Sequence, residues 1–179
     1  FYRRLLSFES AEFVYDATVA FCRKFVGRGS RTVDQMVQAA RSGKQNIAEA
    51  SQASATSKKT EVRLTGVARA SLQELLEDYH DFLRHNKMEL WAKTDPRVKA
   101  IRDLARSLQR SYEDYRALVE SGTAEVAANT VVCLIHQTCF LLDRQIRRLE
   151  KDFLEEGGFS EKLYRARRQK RGDEAQRGL

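Results

Sequence analysis

The chain has 179 residues, with one proline, nine glycines, 42% hydrophobic and 32% charged residues. That length can bury a core within one domain without disulfide or metal staples, and so few turn formers exclude a strand-rich fold in favour of an all-α one. The formal charge of +7 favours polyanions such as RNA, DNA or anionic lipid by long-range attraction, without naming a ligand. Cys22, Cys133 and Cys139 cannot all pair internally, and none has metal-finger spacing, which fits reduced thiols in a cytoplasm. The opening FYRRLLSFESAEF has no long apolar run behind its basic residues, unlike a secretory signal. No stretch is expected to reach the roughly 20 apolar residues of a membrane span.

In chain order, Phe13, Val14, Ala17, Ala20, Phe21 and Phe25 recur at three- and four-residue steps and predict a first helix over about 7–26, ended by Gly27 and Gly29. Thr32 stands three residues before Gln35, the spacing of a capping box, and Val33, Met36, Val37, Ala40 and Ile47 carry a second helix over 32–52. The polar run SQASATS is its exit. A third helix, 58–86, starts from a Ser57 cap and carries Leu64, Val67, Ala68, Leu72, Leu75, Tyr79, Phe82 and Leu83. Trp91 falls in a loop. Asp95-Pro96 then opens an inserted helix over 97–118 with Val98, Ile101, Leu104, Leu108, Tyr112 and Tyr115 as its stripe. The longest helix, 123–156, follows with Ala127, Val131, Leu134, Ile135, Thr138, Leu142, Leu149 and Phe153, until Gly157-Gly158.

Short connections force neighbouring helices to run in opposite directions, so the expected fold is an antiparallel up-down four-helix bundle over 1–156. It has an inserted helix between helices 3 and 4 and a basic C-terminal tail over 157–179 that is a short helix or an arm ordered on binding. The tail holds seven Lys/Arg against three Asp/Glu. Val132, Cys133, His136 and Phe140 extend the last helix's apolar surface beyond its core stripe, so either the inserted helix or another subunit covers that side.

The stretch QMVQAARSGKQNIAE, Gln35 to Glu49, with VARASLQELLEDYHDFLR after it, resembles the four-helix-bundle family encoded within intervening sequences of bacterial 23S ribosomal RNA genes. That family's signature runs approximately Arg-Ala-Ala-x-Ser-Ile-x-x-Asn-Ile-Ala-Glu-Gly. Ala39, Ala40, Ser42, Asn46, Ile47, Ala48 and Glu49 match it, while Gln38 replaces the Arg, Gly43 the Ile and Ala50 the Gly. LIHQTCFLLDRQI and GGFSEKLYRARR extend the likeness over nearly the whole chain, to the branch that carries a four-helix-bundle suffix domain. The resemblance implies a closed up-down bundle, a homopentamer with a basic surface, and a distant likeness to the nucleic-acid-binding accessory protein of diversity-generating retroelements, which also binds a reverse transcriptase.

Glu77 and His80 have the Glu-x-x-His spacing of di-iron bundles, but those sites need the motif twice, and neither His85 nor His136 has a Glu three residues earlier. Glu74, Glu77, Asp78 and Asp81 read instead as a solvated acidic face. Cys133, His136 and Cys139 would diverge over about 120° of one helix, so packing is the default and no metal or cofactor is expected. No nucleophile–base pair, P-loop or dinucleotide fingerprint is present, and no enzymatic activity is expected. Two basic patches remain: Arg28, Arg31, Arg41, Lys44, Lys58, Lys59 and Arg63 around the second helix, and Arg165, Arg167, Arg168, Lys170 and Arg171 in the tail with Tyr164 available for stacking. They would bind RNA or DNA through sequence-tolerant phosphate contacts; a scaffold whose basic tail docks an acidic partner is the alternative. Ala39, Ser42, Gly43, Asn46 and Ala50 form a seam of small residues for close helix approach, within the chain or between subunits. Cys133, His136 and Phe140 are further interface candidates.

Overall fold

The computed structural model describes residues 3, 5–27, 29–107, 110–156, 163–164 and 167–171, and among them every regular element is helical. These are α1 (Leu6–Phe25), α2 (Arg31–Ala53), α3 (Lys58–His85), α4 (Pro96–Arg106), α5 (Glu113–Arg116) with a π-helical continuation (Ala117–Ser121), and α6 (Ala124–Glu156). Residues 167–171 are helical as well.

Local chemistry sets most of the boundaries. Gly29 takes φ +81° before α2, a backbone turn that side chains rarely tolerate. The cap of α2 is Ser30 rather than Thr32: its hydroxyl accepts from the Thr32 N–H at 3.2 Å, because the chain enters the helix two residues earlier than the capping-box spacing predicts. Ser57 caps α3 by accepting from the Thr60 N–H at 3.2 Å. Asp95 caps α4 by accepting from the Arg97 N–H at 2.8 Å, with Pro96 in the first helical position. At the end of α3 the Met88 N–H reaches back to the Leu83 carbonyl at 2.9 Å and the Lys87 N–H to the Arg84 carbonyl at 3.2 Å. This six-to-one and five-to-two closure places Lys87 in the left-handed region, at φ 55°.

α1 packs on α2 and α6, and α3 packs on the same two helices from the other side. Cys22 meets Met36 while Tyr15 meets Lys44, so α1 and α2 run oppositely. Ser10 meets Thr138 and Ser7 meets Gln145, so α1 and α6 do too. Between them lies a core that includes Val14, Phe21, Met36, Ile47, Leu72, Leu75, Ile135 and Leu142. The Phe21 ring sits 4.9 Å from those of both Tyr79 and Phe82. Buried Tyr79 satisfies its hydroxyl by donating to Thr18 Oγ1 at 3.2 Å, as buried phenols usually do, whereas the buried Tyr115 hydroxyl has no hydrogen-bond partner among the described residues.

The inserted segment departs from the single helix expected over 97–118. α4 stops at Arg106, and Ser107 turns to extended backbone at ψ 139°. The physical reason is Arg110, whose guanidinium, only 8% exposed, donates from Nε and Nη2 to Glu9 Oε2 at 3.0 and 2.8 Å and from Nη1 to the Ala105 carbonyl at 2.9 Å. Leaving the helix allows that convergence, and the chain then follows α1. Tyr115 packs 6.0 Å from Phe13, ring to ring, and Lys24 Nζ clamps the far end by donating to the Glu120 and Gly122 carbonyls at 2.7 and 3.2 Å. The result is a strap over residues 110–122, pinned at both ends.

α4 itself packs on α6. Trp91 is anchored beside it, its N–H donating to Asn129 Oδ1 at 2.9 Å and its indole N–H to Glu125 Oε1 at 3.2 Å. Val132 and Cys133 are buried. Further along α6, Gln137 Nε2 donates to the Ala105 carbonyl at 3.1 Å, at the last turn of α4, while His136 and Phe140 are exposed. By length and composition α6 is apolar enough to cross a membrane, contrary to the reading that no stretch approaches this; 67% of that apolar window is buried, as in a core helix.

Candidate nucleic-acid interface

The seam of small residues lies between α2 and α3. A Cβ at Gly43 would stand 2.8 Å from Leu72 Cγ and Cδ2. Ala50 and Gly43 are buried, and Ala39, Ser42 and Asn46 half-buried. Ser42 and Ser71 share a hydroxyl–hydroxyl hydrogen bond of 3.0 Å across the contact. Asn46 turns back along its own helix, donating to the Ser42 carbonyl at 2.9 Å and its hydroxyl at 3.2 Å.

The basic residues expected around α2 do not form one patch. Arg31 opens α2, whereas Lys58 opens α3 after the far end of α2, and the 23-residue α2 is itself about 34 Å long at the α-helical rise. Arg41 is exposed midway. Lys44 is half-buried with its Nζ 4.4 Å from the Tyr15 ring centre, a cation–π contact that holds it close to α1. Lys58 is engaged with buried Glu61 at 2.9 Å. Lys59 and Arg63 remain exposed and form no ion pair among the described residues. In the tail, Tyr164 is 67% exposed, and Arg167, Arg168, Lys170 and Arg171 are exposed on a helical stretch. Arg28 and Arg165 lie outside the described residues.

The tertiary packing adds a group that the sequence reading missed. Arg69 Nε donates to Asp143 Oδ1 at 2.5 Å, and further along α3, His80 lies near enough to His136 to perturb it, so α3 and α6 run antiparallel. The start of α3, with Lys59 and Arg63, is therefore at the same end as the last turns of α6, with Arg144, Arg147, Arg148 and Lys151, all exposed. The chain leaves α6 for its basic tail at this end. Arg148 and Lys151 make only loose pairs, with Asp152 at 3.8 Å and Glu155 at 3.7 Å; such contacts on a wet surface hold charge weakly. The sequence signal existed: these cations step from Phe140 by four, seven, eight and eleven positions, the period of one helix face.

The other end of α3 has the opposite character. Glu74, Glu77 and Asp81 are exposed and Asp78 half-buried. Burial, then the charges of Asp81 and Glu74, push the Asp78 carboxyl above its ordinary value. Glu74 and Asp78 line a shallow groove of about 960 Å³ with Asp34, Val37 and Ser42 of α2. Glu77 Oε2 lies 3.9 Å from His80 Nδ1, an ion pair only if the imidazole is protonated. Among the described residues no group of three or more His, Cys, Asp or Glu is arranged to hold a metal ion. Burial drives the thiols of Cys133 and Cys139 up to about 11, which suits packing. Incomplete solvation, then His80 and Lys93, push the His136 imidazole down.

Compared with known proteins, the chain matches no family model, no curated protein and no solved structure.

Proposed function

We propose that this protein is a non-enzymatic, cytoplasmic nucleic-acid-binding protein in which α1, α2, α3 and α6 close as an antiparallel up-down four-helix bundle. It acts as an accessory to a larger nucleic-acid machine. The observation that carries the reading is the gathering of exposed Lys59, Arg63, Arg144 and Arg147 at the end from which the basic tail departs. These residues, with Arg167, Arg168 and Arg171, contact phosphates of RNA or DNA and release counterions, so binding is sequence-tolerant and salt-dependent. The resemblance to the 23S intervening-sequence family supports the same direction, and with it a homo-oligomer, a pentamer by that likeness, and a protein partner such as a reverse transcriptase.

An electrophoretic shift series with unrelated RNA and DNA across salt tests the proposal. Binding that weakens steeply as salt rises is expected. Failure to bind either polymer at low salt overturns it and leaves the basic tail as a dock for an acidic protein. Light scattering that reports a monomer removes the pentamer.

A further inference from the structure

We infer that the outer face of α6 beyond α4 is a binding strip for single-stranded nucleic acid, with Phe140 as its stacking platform; this rests on the nucleic-acid reading above and names its substrate class. Phe140 is 58% exposed on a helix that buries the nearby Thr138, Cys139 and Leu142. A ring left mostly in water contributes little to folding and keeps its face open to a partner. The Arg144 guanidinium carbon lies 5.9 Å from the ring centre and covers the ring only in part. His136, Arg144, Arg147 and Lys151 share this face at three- and four-residue steps and are all exposed. From Phe140 to Lys151 the strip runs about 17 Å along the helix. Its upper boundary is fixed where Gln137 bonds to the last turn of α4.

An aromatic ring set among cations fits a strand whose bases are free. A duplex presents phosphates to such a face but keeps the flat surfaces of its bases stacked inside, so Phe140 would add nothing to duplex binding. An unpaired base offers its π-face to the ring while its flanking phosphates meet Arg144, Arg147 and Lys151. A second copy of the chain fits less well. A two-fold contact through this strip would bring Arg144 and Arg147 against the same residues of the other copy, where like charges oppose association.

The test uses the whole chain and two labelled probes of equal phosphate number, an unstructured oligo-dT and a hairpin duplex, read by fluorescence anisotropy across salt. Phe140→Ala is expected to weaken oligo-dT binding about tenfold, the scale of one lost base stack, and to leave duplex binding and the thermal midpoint unchanged. Phe140→Trp should restore the oligo-dT affinity. Arg147→Ala should reduce the salt slope for oligo-dT by about 0.7, one phosphate contact on a single strand. Binding of both probes with no response to Phe140→Ala overturns the strip and leaves the phosphate-binding reading standing. Binding of neither probe overturns both. A change of oligomeric state in Phe140→Ala, seen by light scattering, overturns the strip in favour of a contact between copies.

Discussion

Gly43 and Leu72 occupy one van der Waals space: Leu72 Cγ and Cδ2 stand 2.8 Å from the point where a Cβ on residue 43 would lie. Leu72 is fully buried and so has little freedom to retreat. Gly43→Ala should still lose about 1 kcal/mol, because repacking around Leu72 costs about 1–3 kcal/mol against about 1 kcal/mol of better helix propensity. Gly43→Leu should lose about 3 kcal/mol or more, at the top of the range for overpacked cores. Urea unfolding measures both. Leu72→Ala alone should cost about 2–5 kcal/mol, yet added to Gly43→Leu it should cost far less, since it vacates the contested volume. Strict additivity would contradict the contact.

Lys87 holds the left-handed position that closes α3, at φ 55°, where a Cβ is disfavoured by about 1–2 kcal/mol. Lys87 is exposed, so its side chain makes little packing for a substitution to lose. Lys87→Gly removes the steric cost and gives back part of it as unfolded-chain entropy. A rise in thermal midpoint of about 2–4 °C is expected; calorimetry showing no rise, or a fall, would reject the closure described.

Asp78 gives a pH-dependent prediction. Its carboxyl is raised by burial first and by Asp81 and Glu74 after that, so the folded state binds its proton more tightly than the unfolded one. Its favourable contribution is complete below the unfolded carboxylate value and is lost as pH rises through the folded one. At neutral pH the ionised group therefore costs stability. Asp78→Asn should raise the thermal midpoint at pH 7 by about 1–2 °C, the scale of a partly exposed like-charge contact, with the gain shrinking to nothing in acid. A gain that grows on acidification would reverse the sign.

The thiols of Cys22, Cys133 and Cys139 are each driven up to about 11 by burial. Only the thiolate alkylates. At pH 8 the native protein should react with iodoacetamide at least about tenfold more slowly than the urea-unfolded chain, by mass spectrometry of each cysteine. Fast native labelling at any of the three would show that its burial is transient.

The long helices were legible because their apolar residues keep one period over many turns. Phe13 to Phe25 and Ala127 to Leu149 each mark a face that the structure buries in large part. The inserted segment was misread for the same reason. Leu104, Leu108, Tyr112 and Tyr115 continue the helical step, whereas the exit from the helix at Ser107 follows from Arg110 reaching Glu9 of α1, a contact between residues 101 positions apart. No local pattern encodes it. The exposure of Phe140 was hidden likewise, since it depends on where α4 stops along α6. The scatter of the basic residues around α2 was visible only once that helix had a direction and a length.

Trp91 is the one tryptophan in the chain, and the way it is held gives the molecule a built-in optical label. Its indole is buried, tied to Glu125 through its N–H at 3.2 Å and covered by the Arg97 guanidinium, 4.0 Å from the ring centre. Selective excitation of indole over the six tyrosines therefore reads the docking of the segment between α3 and α4 onto α6. If that segment lifts while the four long helices stay formed, emission shifts to the red at constant far-ultraviolet ellipticity, which separates local release from global unfolding in one cuvette.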